Sequence, residues 1–287
     1  MTDLKDYLRE EIAEEGRLGY LSEEESGRRL QLLDNAQNAG REPASPQPSG
    51  QDYADAQIEA SWTEIDGAAG PLTVYLARPA RTNGVPGVIV VHENKGLVPY
   101  VQDVTRRLAT AGFIALAPDL LTPAGGTRSF SDSAEATAAL GKLAPEDMVA
   151  DLKAAVDYLT GDGAGTSGRI GVIGFCFGGG MAWRLITRDQ RLQGAVPFYG
   201  PNPPVEDVPA IQTPVFAVYG ALDNRITSGL PTIDAAMKDN GKAFEYTVFD
   251  GAQHAFHNDT NPDRYHPEAA QAAWTAAVQH LTAWLGG

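Results

Sequence analysis

Residues 170–180 read Ile-Gly-Val-Ile-Gly-Phe-Cys-Phe-Gly-Gly-Gly, and this stretch is the strongest structural signal in the chain. It begins as an apolar run and leads into a helical pattern over residues 181–186, so it predicts a strand, a tight turn and a helix. Cys176 stands at the apex of the turn, with glycines two residues before and after it. These glycines let strand and helix approach closely without a Cβ clash. The helix N-terminus beneath the cysteine favours a thiolate.

Cys176 is the only cysteine in the chain. Most lone cysteines are buried and act as small hydrophobic residues. At the centre of a strand–turn–helix, however, the position favours a nucleophile. The interpretation becomes specific only if an acid and a histidine follow downstream, in that order. A single cysteine also excludes an intrachain disulfide and a cysteine-rich metal site.

Length and composition indicate a large, acidic protein. The 287 residues, 43% of them hydrophobic, are enough for one domain with an extensive core. A net charge of −15 argues against nucleic acid or an anionic membrane surface as a partner. We see no signal peptide and no run of 18 apolar residues, so we expect a cytoplasmic protein, where a lone thiol stays reduced.

The first 52 residues differ in character from the rest. Leu4, Leu8 and Ile12 repeat every four residues and predict a short helix, and Ser22 opens a capping box for a second helix that ends near residue 35. Residues 36–52 are polar and rich in Gly and Pro, as in a linker. We therefore expect a helical extension over residues 1–52, without a catalytic constellation, and a main domain over residues 53–287. The two helices either pack on the main domain or form a contact in a homo-oligomer.

The main domain alternates strands and helices after an initial hairpin around Asp66-Gly67. This order predicts an α/β fold with a mostly parallel sheet, helices on both faces and a short antiparallel start. The predicted strands cover residues 62–65, 72–76, 85–91, 113–117, 169–174, 194–199, 215–219 and 244–249. The predicted helices cover residues 98–111, 131–143, 145–159, 177–187, 226–240 and 268–285.

Reactive side chains follow four of the predicted strands. Glu93 follows the strand at 85–91, Cys176 follows 169–174, Asp223 follows 215–219 and His254 follows 244–249. Because active sites of such sheets lie beyond the carboxyl ends of the strands, we expect these side chains to lie close together. The order nucleophile, acid, histidine is that of the α/β-hydrolase fold.

Each of these residue types has a chemical role in acyl transfer. A thiol must lose its proton before it attacks a carbonyl, and the imidazole of His254 can accept that proton. Asp223 would hold the imidazole in one tautomer and stabilise its charged form. The backbone N–H groups of Phe177 and Asn94 are candidate donors to the developing oxyanion.

Alternatives exist for the base and for the acid. His257 and His266 lie in the same loop region as His254, which has the better claim because a short Gly-containing turn joins it to a strand. Asp207 and Asp250 compete with Asp223, whose position in a Gly-x-x-Asp turn after a buried strand favours it. His92 is interpreted as structural.

Five motifs together resemble the dienelactone hydrolase (carboxymethylenebutenolidase) family of the α/β-hydrolase superfamily. They are Gly-Phe-Cys-Phe-Gly-Gly-Gly (174–180), His-Glu-Asn-Lys-Gly (92–96), Pro-Asp-Leu (118–120), Gly-x-x-Asp (220–223) and Gly-Ala-Gln-His-Ala-Phe (251–256). The resemblance covers roughly residues 60–285.

The resemblance implies a hydrolase that opens the lactone of a dienelactone and needs no cofactor or metal. Cys176 would be the nucleophile, His254 the base and Asp223 its orienting acid. Glu93 would match a glutamate that holds the cysteine in a resting arrangement and helps to activate it. From the residues alone, Glu93 could equally be a structural ion-pair acid at a buried strand end.

The chain departs from the family at two substrate-binding arginines. Asn258 stands where one is expected, and Ser133 stands where an ungapped comparison puts the other. Lys95, Arg128 and Arg225 are other candidate contacts for a substrate carboxylate. The sequence therefore predicts a hydrolase of a small ester or lactone, with two alternatives. One is a broad carboxylesterase or thioesterase that uses the same site, and the other is a catalytically silent binding protein.

Overall fold

The computed structural model describes residues 4–17, 22–35, 57–80 and 84–286. The predicted linker over residues 36–52 lies outside these ranges. Within them, eight strands form one sheet in the order β1-β2-β4-β3-β5-β6-β7-β8, with helices packed around it. The predicted α/β class is therefore confirmed.

The bounds of the strands and helices follow the sequence patterns closely. The strands are β1 (Ile58–Gly67), β2 (Gly70–Pro79), β3 (Val85–Val91), β4 (Ile114–Pro118), β5 (Thr166–Phe175), β6 (Leu192–Phe198), β7 (Val215–Gly220) and β8 (Phe244–Phe249). The helices are α1 (Leu4–Arg17), α2 (Glu23–Asn35), α3 (Pro99–Thr110), α4 (Ser133–Leu140), α5 (Pro145–Thr160), α6 (Phe177–Ile186), α7 (Asn224–Thr227), α8 (Leu230–Asp239) and α9 (Pro267–Leu285).

The strand pairing brings the carboxyl ends of four strands to one edge of the sheet. β1 and β2 form the predicted antiparallel hairpin, and β2 also pairs antiparallel with β4. From β4 onward the pairs are parallel, and at the ends of β3 and β5 Val91 lies opposite Gly174. Because β3, β5, β7 and β8 run in the same direction, the segments that follow them meet at one edge.

One predicted helix is two helices in the structure. The pattern over residues 226–240 predicts a single element, but α7 ends at Thr227 and α8 begins at Leu230. Pro231 lacks a backbone N–H and is therefore tolerated only in the first turn of a helix, so the helix starts anew just before it. Among the described residues, no helix combines the length and the apolar character that crossing a membrane requires.

The two N-terminal helices pack against each other and on the main domain, which is one of the two arrangements considered from the sequence. Leu8 and Leu33 are buried and lie against Gly141, just after α4. Arg28 of α2 forms an ion pair with Asp132, the residue that caps α4. These contacts fix α1 and α2 on the domain surface, and a further contact with a second subunit stays a prediction.

Candidate active site

Cys176 occupies a strained backbone conformation between β5 and α6. Its φ of 56° and ψ of −121° lie where residues with a Cβ are rarely found. Such strain costs about 1–3 kcal/mol and persists where the surrounding structure requires it, often at functional sites. The strain results from the sharp reversal of the chain direction at Cys176, between the end of β5 and the start of α6.

Two glycines make this reversal sterically feasible. A Cβ on Gly174 would lie 2.0 Å from the carbonyl oxygen of Gly178, across the turn. A Cβ on Gly178 would lie 2.3 Å from the carbonyl oxygen of Val91, at the end of β3. Because glycine has no Cβ, the turn can pack directly against the end of β3. The N–H of Phe177, at the start of α6, thus lies in the same region as the segment that contains Asn94.

Asp223 and His254 form a short buried hydrogen bond. Nδ1 of His254 lies 2.6 Å from Oδ2 of Asp223, and both side chains are buried. The loops that carry them are joined, because the N–H of Leu222 donates to the carbonyl of Ala252. An ionised Asp223 can only accept, so the proton lies on Nδ1 and Nε2 of His254 is left as the basic nitrogen.

The competing histidines have other partners. Nδ1 of His257 lies 2.7 Å from the hydroxyl of Tyr100, and burial lowers the pKa of His257 to about 3. His266 caps α9 by accepting a hydrogen bond from the N–H of Ala269. Nδ1 of His92 lies 2.6 Å from the carbonyl oxygen of Glu93, and Nε2 of His92 accepts a hydrogen bond from the N–H of Leu120. All three are engaged in holding the fold.

The competing acids also lie elsewhere. Asp207 forms an ion pair with Arg188, and Asp250 is exposed. Of the three candidate acids, Asp223 is therefore the one that contacts His254.

The thiol of Cys176 contacts two side chains of α1. It donates a hydrogen bond to Oε1 of Glu11 at 3.2 Å, and the hydroxyl of Tyr7 lies 3.7 Å from the sulfur. The same oxygen of Glu11 lies 3.7 Å from Nε2 of His254. Burial, followed by the charges of Glu11 and Glu93, raises the pKa of the thiol well above its ordinary value. The protein in this conformation therefore holds a neutral thiol, whereas the helix N-terminus alone favours a thiolate.

Glu11 and Tyr7 are site residues that the sequence reasoning missed. The extension was expected to carry no catalytic constellation, yet α1 places both side chains against the thiol of Cys176. One signal was present: Tyr7, Leu8, Glu11 and Ile12 are spaced to share one helix face, so an acid lies within the apolar stripe. A carboxylate on a buried face requires polar partners, and here these are Cys176 and the neighbouring imidazole.

Glu93 is buried near the thiol but has a different hydrogen-bond partner. Its Oε2 accepts from Nδ2 of Asn258 at 2.8 Å. Burial raises the pKa of Glu93, and the charge of Lys95 and the bond from Asn258 oppose that rise. The resemblance implies that Glu93 holds the cysteine at rest, but the thiol hydrogen bond described above goes to Glu11. Glu93 is instead held by Asn258, the residue at the position where the resemblance predicts an arginine.

The candidate substrate-binding cations have different surroundings. Arg225 lies over the ring of Tyr7, 4.8 Å from its centroid, beside the site. Lys95 is half-buried and close enough to Glu93 to affect its pKa. Arg128 stacks on Trp62 of β1, 3.8 Å from the ring centroid. Since β1 is the edge strand and four positions from β5 in the sheet, the structure does not bring Arg128 to Cys176.

A cavity of about 450 Å³ adjoins the site. Its lining includes Tyr7 and Glu10 of α1, Phe177 and Met181 of α6, and Arg225. Because Phe177 directly follows the nucleophile, a group bound to the sulfur could extend into this cavity.

Three side chains at the site could in principle hold a metal ion. Glu11, Cys176 and His254 each offer a ligand atom, and these atoms lie within 4.8 Å of one another. Sulfur, nitrogen and oxygen donors are the set that zinc accepts. A metal in this position would occupy both Cys176 and His254, so we interpret these two side chains as proton-transfer groups and Glu11 as a carboxylate that contacts both of them.

Comparison with known proteins shows to which family the chain belongs. The model of the Dienelactone hydrolase family matches residues 72–285. The chain belongs to the dienelactone hydrolase family. The family resemblance and the α/β-hydrolase fold predicted from the motifs are therefore confirmed, and the protein is a carboxylic ester hydrolase of the dienelactone hydrolase type.

Individual relatives extend over most of the chain. A protein of Methylorubrum extorquens named "Putative carboxymethylenebutenolidase" is 32% identical over 219 residues, which cover 71% of this chain and 74% of the relative. A "Probable 2-oxo-3-(5-oxofuran-2-ylidene)propanoate lactonase" of Bradyrhizobium sp is 33% identical and covers 80% of this chain and 96% of the relative. A crystal structure described as "Putative Dienelactone Hydrolase", from Klebsiella pneumoniae subsp. pneumoniae, has a TM-score of 0.72 and 29% identity, with coverage of 80% and 98%.

The dienelactone hydrolase family match begins beyond the N-terminal helices. Residues 72–285 contain the predicted nucleophile, acid and base, whereas Tyr7 and Glu11 lie outside that range. The contact between α1 and Cys176 therefore involves residues outside the part of the chain that the family model matches.

Proposed function

We propose that this protein hydrolyses a small ester or lactone through a Cys176–His254–Asp223 triad. The observation that carries the proposal is the combination of the 2.6 Å Asp223–His254 hydrogen bond with a strained apex cysteine, whose sulfur lies within 4.8 Å of a His254 ring nitrogen. An oriented base beside an apex nucleophile is the arrangement that acyl transfer requires.

The reaction proceeds in two halves. His254 Nε2 takes the thiol proton while the sulfur of Cys176 attacks the carbonyl carbon, which forms a C–S bond and an oxyanion. The C–O bond then breaks, and the leaving oxygen takes the proton back from His254. In the second half His254 takes a proton from water, hydroxide attacks the thioester, and the C–S bond breaks. The acid is released and the thiolate recovers the proton from His254.

Backbone donors stabilise both tetrahedral species. The N–H of Phe177 follows the nucleophile at the start of α6, and the N–H of Asn94 follows β3, which is packed against the turn. These groups are fixed before the reaction, so little reorganisation is needed when charge develops on the oxygen. Glu93 supplies a buried carboxylate that influences the thiol and is kept in place by Asn258.

The chemistry of the nucleophile favours activated substrates. A thiolate is itself a good leaving group, so the tetrahedral intermediate returns to substrate unless the alcohol also departs easily. Enol lactones and aryl esters meet this condition, whereas amides do not. The name of the Bradyrhizobium relative, a lactonase, supports a lactone substrate. We further expect the protein to act in the cytoplasm, where a lone thiol stays reduced.

A broad carboxylesterase or thioesterase activity is the second candidate. It is favoured by Asn258, a neutral residue at the position where the resemblance predicts an arginine, whose side chain is bonded to Glu93. This feature weakens the case for a strongly anionic substrate. A less polar acyl group would instead extend into the adjoining cavity beside Met181.

A substrate panel tests both candidates. Hydrolysis of cis- and trans-dienelactone, 4-nitrophenyl esters of increasing chain length and acyl thioesters is measured for the wild type and for Cys176→Ala. We expect turnover of at least one activated ester or lactone by the wild type and none by Cys176→Ala, with unchanged melting temperatures. Full activity in a folded Cys176→Ala protein would contradict the proposed nucleophile, and the preferred substrate separates the two candidates.

A further inference from the structure

Helix α1 blocks access to the catalytic centre. Cys176 is 2% exposed, His254 7% and Glu11 4%, and both Tyr7 and Glu11 contact the thiol. An attacked carbonyl carbon must come within about 3–3.5 Å of the sulfur. Oε1 of Glu11 already lies 3.2 Å from it, so the carboxylate and a substrate cannot occupy this place together.

We propose that α1 is a gate over the catalytic centre and that Glu11 is its latch. In the closed state the thiol of Cys176 is bonded to Glu11, and substrate reaches the sulfur only after α1 moves away. The proposal rests on the proposed function in one respect, since it assumes that Cys176 is the group that substrate must reach.

The latch competes with the base for the thiol proton. Oε1 of Glu11 accepts the hydrogen bond of the Cys176 thiol at 3.2 Å and lies 3.7 Å from Nε2 of His254, so in the closed state the proton is directed to Glu11 and not to the imidazole. Burial beneath α1 and the negative charge of Glu11 both favour the neutral thiol. Movement of α1 removes both effects together, so the cysteine becomes accessible and easier to ionise at the same time.

The buried residues of α1 lie along one face of the helix. Leu8 and Ile12 are buried, Leu8 lies with Leu33 against Gly141, and Arg9 forms an ion pair with Asp34 of α2. The latch itself is incompletely satisfied, because Oε2 of Glu11 is buried and has no hydrogen-bond partner among the described residues. A buried carboxylate oxygen without a donor is unfavourable, so the closed state carries a cost that opening relieves.

One movement of α1 would open the nucleophile and the adjoining cavity together. Tyr7 and Glu10 of α1 line that cavity, and Tyr7 also contacts the thiol. Arg225, which is stacked on Tyr7, would be uncovered in the same movement. The gate therefore controls access to the binding space as well as to the reacting atom.

The single cysteine gives a direct readout of the gate. Alkylation of the full-length protein by iodoacetamide is followed by intact mass, so every addition can be assigned to Cys176 after a peptide check. Glu11→Ala removes the latch, Leu8→Asp undocks the helix, and Asp6→Ala removes an exposed carboxylate from the same helix as a matched control. Melting temperatures show whether each variant is folded.

We expect Glu11→Ala to be alkylated roughly 10- to 150-fold faster than the wild type, the factor by which a hydrogen bond to a charged group shifts an equilibrium. Leu8→Asp should be alkylated at least as fast as Glu11→Ala, and Asp6→Ala at the wild-type rate. An unchanged alkylation rate in folded Glu11→Ala would overturn the latch. If Leu8→Asp does not fold, Glu11→Ala alone is sufficient for this test.

Ester hydrolysis by the same variants separates the gate from the proposed function. Faster alkylation with equal or higher kcat/KM supports the gate. If Glu11→Ala is alkylated faster but neither the wild type nor the variant hydrolyses any panel substrate, the proposed function is refuted and the gate stays in place. Faster alkylation with a large loss of kcat in Glu11→Ala alone would overturn the gate, because Glu11 would then be required during turnover.

Discussion

Replacement of Asp223 by asparagine is the sharpest perturbation of the proposed triad. The substitution keeps the size of the side chain but removes its charge from a buried hydrogen bond of 2.6 Å to Nδ1 of His254. A hydrogen bond to a charged group contributes about 1.5–3 kcal/mol, which corresponds to roughly a 10- to 150-fold change in an equilibrium or rate. This is the minimum loss expected if Asp223 orients the base.

The tautomer of His254 adds a second effect. A carboxylate accepts only, so it keeps the proton on Nδ1, whereas an amide can donate to Nδ1 and move the proton to Nε2. An imidazole protonated at Nε2 cannot accept the thiol proton, and the corresponding change in serine proteases lowers kcat by about 10⁴. We therefore expect Asp223→Asn to lower kcat/KM by about 10²- to 10⁴-fold.

The assay is hydrolysis of the best activated ester from the panel, with thermal unfolding as the folding check. Asp250→Asn is the matched control, since Asp250 is an exposed acid just after β8. It should retain wild-type activity. A folded Asp223→Asn protein within tenfold of the wild type would refute the reasoning, and so would an equal loss in Asp250→Asn.

Two further predictions concern the packing and the pH dependence of the fold. Gly178→Ala should lower the free energy of unfolding by about 1–3 kcal/mol and reduce activity, because the new Cβ would lie 2.3 Å from a carbonyl oxygen at the end of β3. Urea unfolding measures the change in the free energy of unfolding. Gly163→Ala is the control and should leave this free energy nearly unchanged, because a Cβ at Gly163 would meet no other atom within 4 Å. His257 has a pKa of about 3 in the folded protein, so it is neutral above that pH, whereas in the unfolded chain it takes up a proton near pH 6.5. The free energy of unfolding therefore decreases as the pH falls from 6.5 towards 3, and the decrease reaches about 3 kcal/mol at pH 4.5. A folded His257→Gln protein should show a flatter acid profile in the same unfolding experiment, and an equally steep profile would contradict this assignment.

Most of the fold follows from local patterns in the chain. The apolar runs at β3, β5 and β7 predict buried strands, and their order with the intervening helices predicts a mostly parallel sheet. The glycines around Cys176 and the short turns before Asp223 and His254 mark the sites where side chains project beyond the strands. Because parallel strands direct their carboxyl ends to one edge, residues far apart in sequence can be assigned to one site without coordinates.

No comparable rule predicts where α1 docks on the main domain. Its stripe predicts that one face is buried, but periodicity gives no information about which surface of the main domain covers that face. The contact between Glu11 and Cys176 joins residues 165 positions apart, and it depends on how Leu8 and Leu33 pack beside α4. The same holds for Asn258, whose hydrogen bond to Glu93 is set by the path of the loop after β8. Sequence patterns report the chemistry and period of each segment, whereas the docking of a helix results from the shape of the surface that many distant segments build together.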